Sequence, residues 1–153
     1  MVPHQDFVAD AVVMTAGPAG GPPQAVNIDI KGEPRVQERT RFSRRGGISR
    51  LYDPSSALKT QFRDAVRDSL TDLGISGFPL YGGQGDDTTI QITVVFPITN
   101  MAKDIDNLLK FVLDTLQTVI YANDRLVMKV VAEKRHFPQG QGGYTTIRVV
   151  PSP

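Results

Sequence analysis

The stretch from Asp53 to Gly74, "DPSSALKTQFRDAVRDSLTDLG", limits the fold more than any other part of the chain, because it specifies a helix together with both of its ends. Asp53 suits an N-cap, Pro54 the first helical position and Gly74 the turn just past the end. Leu58, Phe62, Ala65, Val66, Leu70 and Leu73 recur at helical spacing, so one stripe of this helix needs a second layer to cover it. Lys59, Arg63 and Arg67 share another face, which reads as a solvated basic row. The covering layer comes from segments of period two. "VNIDI" at 26–30 is stopped by Gly32 and Pro34, and "TTIQITVVF" at 88–96 is closed by Pro97. "LVMKVVAEK" at 126–134 and "YTTIRVV" at 144–150 read as two more strands around the turn-forming "PQGQGG". With a second helix ending near Gln117, the order strand, helix, strand, helix, strand, strand predicts an α+β domain: a small mixed β-sheet with two main helices.

The Gly- and Pro-rich "AGPAGGPPQA" interrupts regular structure, so residues 1–25 are expected to be a flexible tail or leader and 26–150 the domain. No apolar run approaches the roughly 20 residues of a membrane span. The start carries acids where a secretory signal would carry lysine or arginine, which predicts an intracellular, cytoplasmic protein without a membrane partner. The absence of cysteine excludes disulfides, thiolate metal sites and a cysteine nucleophile. Net charge is only +1, but between Lys31 and Arg50 seven basic residues (Lys31, Arg35, Arg39, Arg41, Arg44, Arg45, Arg50) face two acids, a local net of +5. Read as an exposed loop, this segment suits a polyanion.

The acids gather instead around "KDIDNLLKFVLD", Lys103 to Asp114. Advancing about 100° per residue from Asp106 puts Lys110 near 40°, Asp114 near 80° and Asn107 near 100°. Leu108, Leu109, Val112, Leu113 and Leu116 fall between about 200° and 340°, a separate core face. Asp104 and Asp106 flank the point where loop becomes helix. Two carboxylates there repel unless a cation lies between them, and hard oxygen donors suit Mg²⁺ or Mn²⁺. Asp124, in "YANDRLV", is the candidate third ligand. If the helix ends near Gln117, seven extended steps of up to roughly 24 Å can bring Asp124 back along a helix of about 18 Å. A helix running through Tyr121 would instead require Asp124 to meet Asp104 and Asp106 of a second copy. Lys110 can neutralise charge on a phosphate or leaving oxygen, with Asp114 orienting it. A non-catalytic basic nucleic-acid-binding module, in which the acidic helix is only a surface, is the competing expectation.

"DIDNLLKFVLDTL" followed by "VIYANDRLV", together with "IKGEPRVQERTRF" and "LYDPSSALKTQF", resembles the RusA family of Holliday-junction resolvases over about Val26 to Val150. The resemblance implies a homodimeric, metal-dependent endodeoxyribonuclease that cuts four-way DNA junctions in recombination and repair, in a DNA-containing compartment. It implies Asp104, Asp106 and Asp124 as ligands of Mg²⁺ (or Mn²⁺) and, with Lys110, as catalytic residues. Asn107 and Asp114 are implied as supporting residues; Arg35, Arg39, Arg41, Arg44, Arg45 and Arg50, the arginines of the basic segment, are expected to bind DNA through its phosphates. The family's turn often carries two adjacent acids; here Asn123 precedes Asp124.

Overall fold

A computed structural model describes residues 7–14, 22–32, 34–138 and 143–153, except for the side chain of Arg45. The elements run β1 (Val8–Met14), β2 (Ala25–Lys31), β3 (Arg41–Arg45), β4 (Ile48–Tyr52), α1 (Ser56–Thr71), β5 (Ile90–Ile98), α2 (Ile105–Leu116), a short 3-10 turn (Asp124–Leu126), β6 (Val127–His136) and β7 (Tyr144–Pro151). Five strands form one sheet in the order β1-β2-β7-β5-β6. All neighbours are antiparallel except β5 and β6. Parallel neighbours cannot be joined by a tight turn; α2 makes the crossover, leaving the end of β5 and returning the chain to the start of β6.

The inward residues of the sheet are those of the period-two pattern: Ile28 and Ile30 of β2, Ile90, Ile92 and Val94 of β5, and Ile147 and Val149 of β7, all buried. Against them pack Phe62, Val66 and Leu70 of α1 and Leu108, Phe111, Val112 and Leu116 of α2. The Phe62 ring lies edge-on between Phe7, at 5.2 Å, and Phe111, at 5.6 Å. That aromatic stack ties both helices to the segment entering β1. The fold is therefore α+β with a mixed sheet and two helices, as the sequence predicts. Among the described residues no helix is long and apolar enough to cross a membrane.

Several local expectations are corrected. Within the expected tail, Val8–Met14 pair with β2 as an edge strand, and Gln24 N–H continues the ladder to the Met14 carbonyl at 2.7 Å. Ala9, Ala11 and Val13 face inward while Val8, Val12 and Met14 are exposed; with apolar residues on both faces, the strand shows no polar alternation. The basic segment is not simply a loop, because Arg41 to Tyr52 form a β3–β4 hairpin turned by Gly46 and Gly47, at φ +60° and +78°. Helix α1 starts at Ser56, with Ser55 at the N-cap position. Asp53 acts one turn earlier, its carboxylate accepting from Ser55 N–H at 2.8 Å. Leu73 is exposed. Pro97 lies inside β5 beyond Val95, the last residue paired with β7, where its missing donor interrupts no bond to that strand. The core face of α2 is turned toward Phe111, leaving Leu109 and Leu113 half-buried.

Candidate functional site

Asp104 occupies the N-cap of α2 with extended backbone (φ −74°, ψ 133°), and its side chain makes no capping bond. Among the described residues its carboxylate meets only the Asn107 amide, at 3.5 Å. Asp106 lies in the first turn, where the helix dipole favours negative charge. The surrounding backbone is well anchored: Lys103 Nζ donates to the Pro34 carbonyl at 2.7 Å, Lys134 Nζ to the Lys103 carbonyl at 2.8 Å, and Gln37 N–H to the Asn107 carbonyl at 3.0 Å.

An open groove runs along α2. Asp106, Lys110 and Asp114 line it from the helix, and Tyr121 and Asp124 from the returning chain. The return begins at Gln117, which is extended, and turns at Thr118, whose φ is +77°. A β-branched residue in the left-handed region costs about 1–2 kcal/mol. Around it, Thr118 N–H bonds the Tyr121 carbonyl at 2.8 Å, and the Tyr121 hydroxyl donates to the Leu113 carbonyl at 2.5 Å. Leu80 and Tyr81 N–H groups hold Val119 and Ile120 from outside, at 3.1 and 2.9 Å. Burial pushes the Tyr121 phenol well above its ordinary pKa, and the charges of Asp114 and Asp124 push it further. Asn123 caps the 3-10 turn, its Oδ1 accepting from Arg125 N–H at 3.0 Å. The residue standing where the family often has a second acid thus shapes the turn that presents Asp124.

Lys110 Nζ lies 3.7 Å from Asp114 Oδ2, and its side chain is 61% exposed. The same Asp114 oxygen accepts from Lys59 Nζ at 3.1 Å, and Lys59 also donates to Asp53 at 2.8 Å. Lys59 is only 12% exposed. Burial disfavours its charge, but its bonds to the two carboxylates outweigh this and hold its pKa above the ordinary value. Burial likewise pushes the Asp53 carboxyl up, but hydrogen bonds from Lys59, Ser55 N–H and Gln37 leave it below the usual range. Arg63 donates to the Asp114 and Thr115 carbonyls at 2.9 and 3.2 Å, at the C-terminal end of α2 where cations are favoured. Arg67 lies over the Phe78 ring at 5.7 Å. Of the row read as solvated, Lys59 and Arg63 therefore bracket the two helices, while Arg67 stays exposed beside the loop that follows α1. Lys59 and its partner Asp114 are 55 residues apart, beyond the reach of any local pattern.

The five arginines of this segment whose side chains are described do not form one patch. Arg35 is half-buried, its Nε enclosed without a hydrogen-bond partner among the described residues. Arg39 is exposed, and Arg41 stands 3.6 Å from Glu38. Arg41 and Arg50 occupy one face of the β3–β4 hairpin and Arg44 the other. Arg45 pairs through its backbone with Ile48, and its side chain lies outside the described residues.

Among the described residues no group of three or more carboxylates or histidines stands close enough within one chain to hold a metal ion. Asp106 and Asp124 line the same groove, whereas Asp104 does not. Asp104 and Asp106 belong to the N-terminal end of α2 and Asp124 to the turn after its C-terminal end, with about 18 Å of helix between the two ends. The donor chemistry fits a hard divalent cation, but one chain does not gather the three donors.

The family model for endodeoxyribonuclease RusA matches residues 31–149, from the end of β2 through both helices to β7. A comparison with curated proteins found no match. The matched span contains the groove, the aspartates at both ends of α2 and the arginine-bearing hairpin. The chain belongs to the RusA family of endodeoxyribonucleases, whose activity is that of Holliday-junction resolvases.

Proposed function

We propose that this protein is a metal-dependent, structure-specific endodeoxyribonuclease that resolves four-way DNA junctions in recombination and repair, acting as a homodimer. The observation that carries this reading is the exposed polar face of α2, with Asp104 and Asp106 at its N-terminal end and Lys110 and Asp114 along the groove beside it. Asp104 and Asp106 would hold Mg²⁺ (or Mn²⁺) together with Asp124, and because the two ends of α2 stand apart, Asp124 of a second copy completes the set. When bound, the ion supplies Lewis-acid stabilisation and a water of lowered pKa for phosphodiester hydrolysis. Lys110 extends its ammonium into the groove, where it offsets the negative charge that builds on the phosphate oxygens. Asp114 limits the swing of Lys110, and Lys59, by satisfying the same carboxylate oxygen, keeps Asp114 from neutralising Lys110 fully. Arg39, Arg41, Arg44 and Arg50 supply phosphate contacts that are sequence-independent and salt-sensitive.

The test is cleavage of a synthetic four-way junction against linear duplex, with and without Mg²⁺, by wild type, Asp104→Asn and Lys110→Ala. Metal-dependent junction cutting lost in both variants is the expected result. Equal, metal-independent behaviour of all three proteins overturns the enzyme, and junction binding without cutting by wild type identifies a binding module instead.

A further inference from the structure

Among the described residues the β3–β4 hairpin forms a sheet of its own and packs on no other strand or helix over more than a marginal area. Two-stranded ribbons are only marginally stable alone in water, and this one also leaves large apolar side chains uncovered. Phe42 and Leu51 are direct cross-strand partners on one face, 69% and 68% exposed, with Arg44 beside them. The opposite face carries Arg41, Arg50 and Tyr52. From Arg39 to Tyr52 there is no acidic residue.

An occupant of this ribbon must bring negative charge to both faces and a flat apolar surface between its charges. DNA offers both, as phosphates and base faces, whereas a second copy of the ribbon would set arginine against arginine. Base faces are hidden inside a continuous duplex and open where stacking is interrupted, as at the branch point of a four-way junction. We infer that the Phe42–Leu51 face is a stacking platform for bases at the branch point, with the flanking arginines on the adjoining phosphates. The inference rests on the junction-resolving function proposed above, and gives that function a source of selectivity for branched over linear DNA.

The experiment uses a four-way junction carrying 2-aminopurine at the branch point, without added divalent ion, and wild type, Phe42→Ala and Phe42→Trp. Phe42 is 69% exposed and stands outside the core cluster, so all three proteins are expected to fold, which circular dichroism checks. Wild type is expected to change the branch-point fluorescence saturably. Phe42→Ala loses that response and lowers the ratio of junction to duplex affinity about tenfold, and Phe42→Trp restores both. An unchanged response in Phe42→Ala overturns the platform while leaving Mg²⁺-dependent cleavage by wild type intact. Conversion of a wild-type dimer to a monomer by Phe42→Ala in light scattering overturns it too, because the pair would then cover a second copy. Absence of both cleavage and junction preference in wild type removes the nuclease function and the platform with it.

Discussion

Replacing Lys59 by Met tests the bracket that joins α1 to α2. The substitution keeps most of the stem of a side chain that is 12% exposed and removes its ammonium, which is bonded to Asp53 at 2.8 Å and to Asp114 at 3.1 Å. Breaking a fully buried ion pair costs about 3–5 kcal/mol. Here the carboxylates are 30% and 39% exposed, so water re-solvates them in part and the loss is about 2–3 kcal/mol. For a chain of this size that lowers Tm by roughly 5–10 °C. The pH dependence gives a second reading. Asp53 has a folded pKa below its ordinary 3.8, so its contribution is complete above 3.8 and disappears as pH falls through the lowered folded value. Lys59 is raised above 10.5, so its contribution is complete below 10.5 and lost as pH rises through the raised value. Thermal unfolding of both proteins across this range should show a gap in Tm that is flat between those limits and narrows beyond each. A gap of less than about 2 °C at neutral pH, or one that persists unchanged into acid, refutes the argument.

Mixing Asp104→Asn with Asp124→Asn, each inactive alone, restores part of the junction cleavage if the ligands come from two chains, since one site in a mixed dimer is then intact. Two sites contained each within its own chain give no recovery. Gly82→Ala should destabilise by about 2–4 kcal/mol in urea unfolding, because φ there is +78° and an added Cβ would lie 2.2 Å from Leu126 Cδ1, under the turn that presents Asp124. Thr118→Gly removes the strain at φ +77°, and its melting temperature should be no lower than wild type even though glycine loses more chain entropy on folding. Phe62→Ala deletes the central ring of the Phe7–Phe62–Phe111 stack and should cost about 3–5 kcal/mol by the same unfolding measurement.

The period-two segments of β2, β5 and β7 and both helices are legible in the sequence, because each buries one face more than the other; β6, at the sheet edge, is legible although its inner residues are only half-buried. The stop of α2 is legible too, since the β-branched run after Gln117 disfavours helix. The polar stripe of Asp106, Lys110 and Asp114 follows from helical angles alone. Strand β1 and the hairpin are not legible: β1 is apolar on both faces, and β3–β4 has no buried face to impose a pattern. Lys59 looks like any exposed helix lysine until α2 is packed against α1 and Asp114 arrives from 55 residues away. Which chain supplies Asp124 depends on the path after α2, which local propensities bound but do not fix. The residue types and local periods thus determined the elements and the chemistry available, through steric and hydrophobic preferences that act within a few residues. Only the tertiary structure decided which charges meet, because charge pairing and burial depend on distances set by packing between segments remote in the chain.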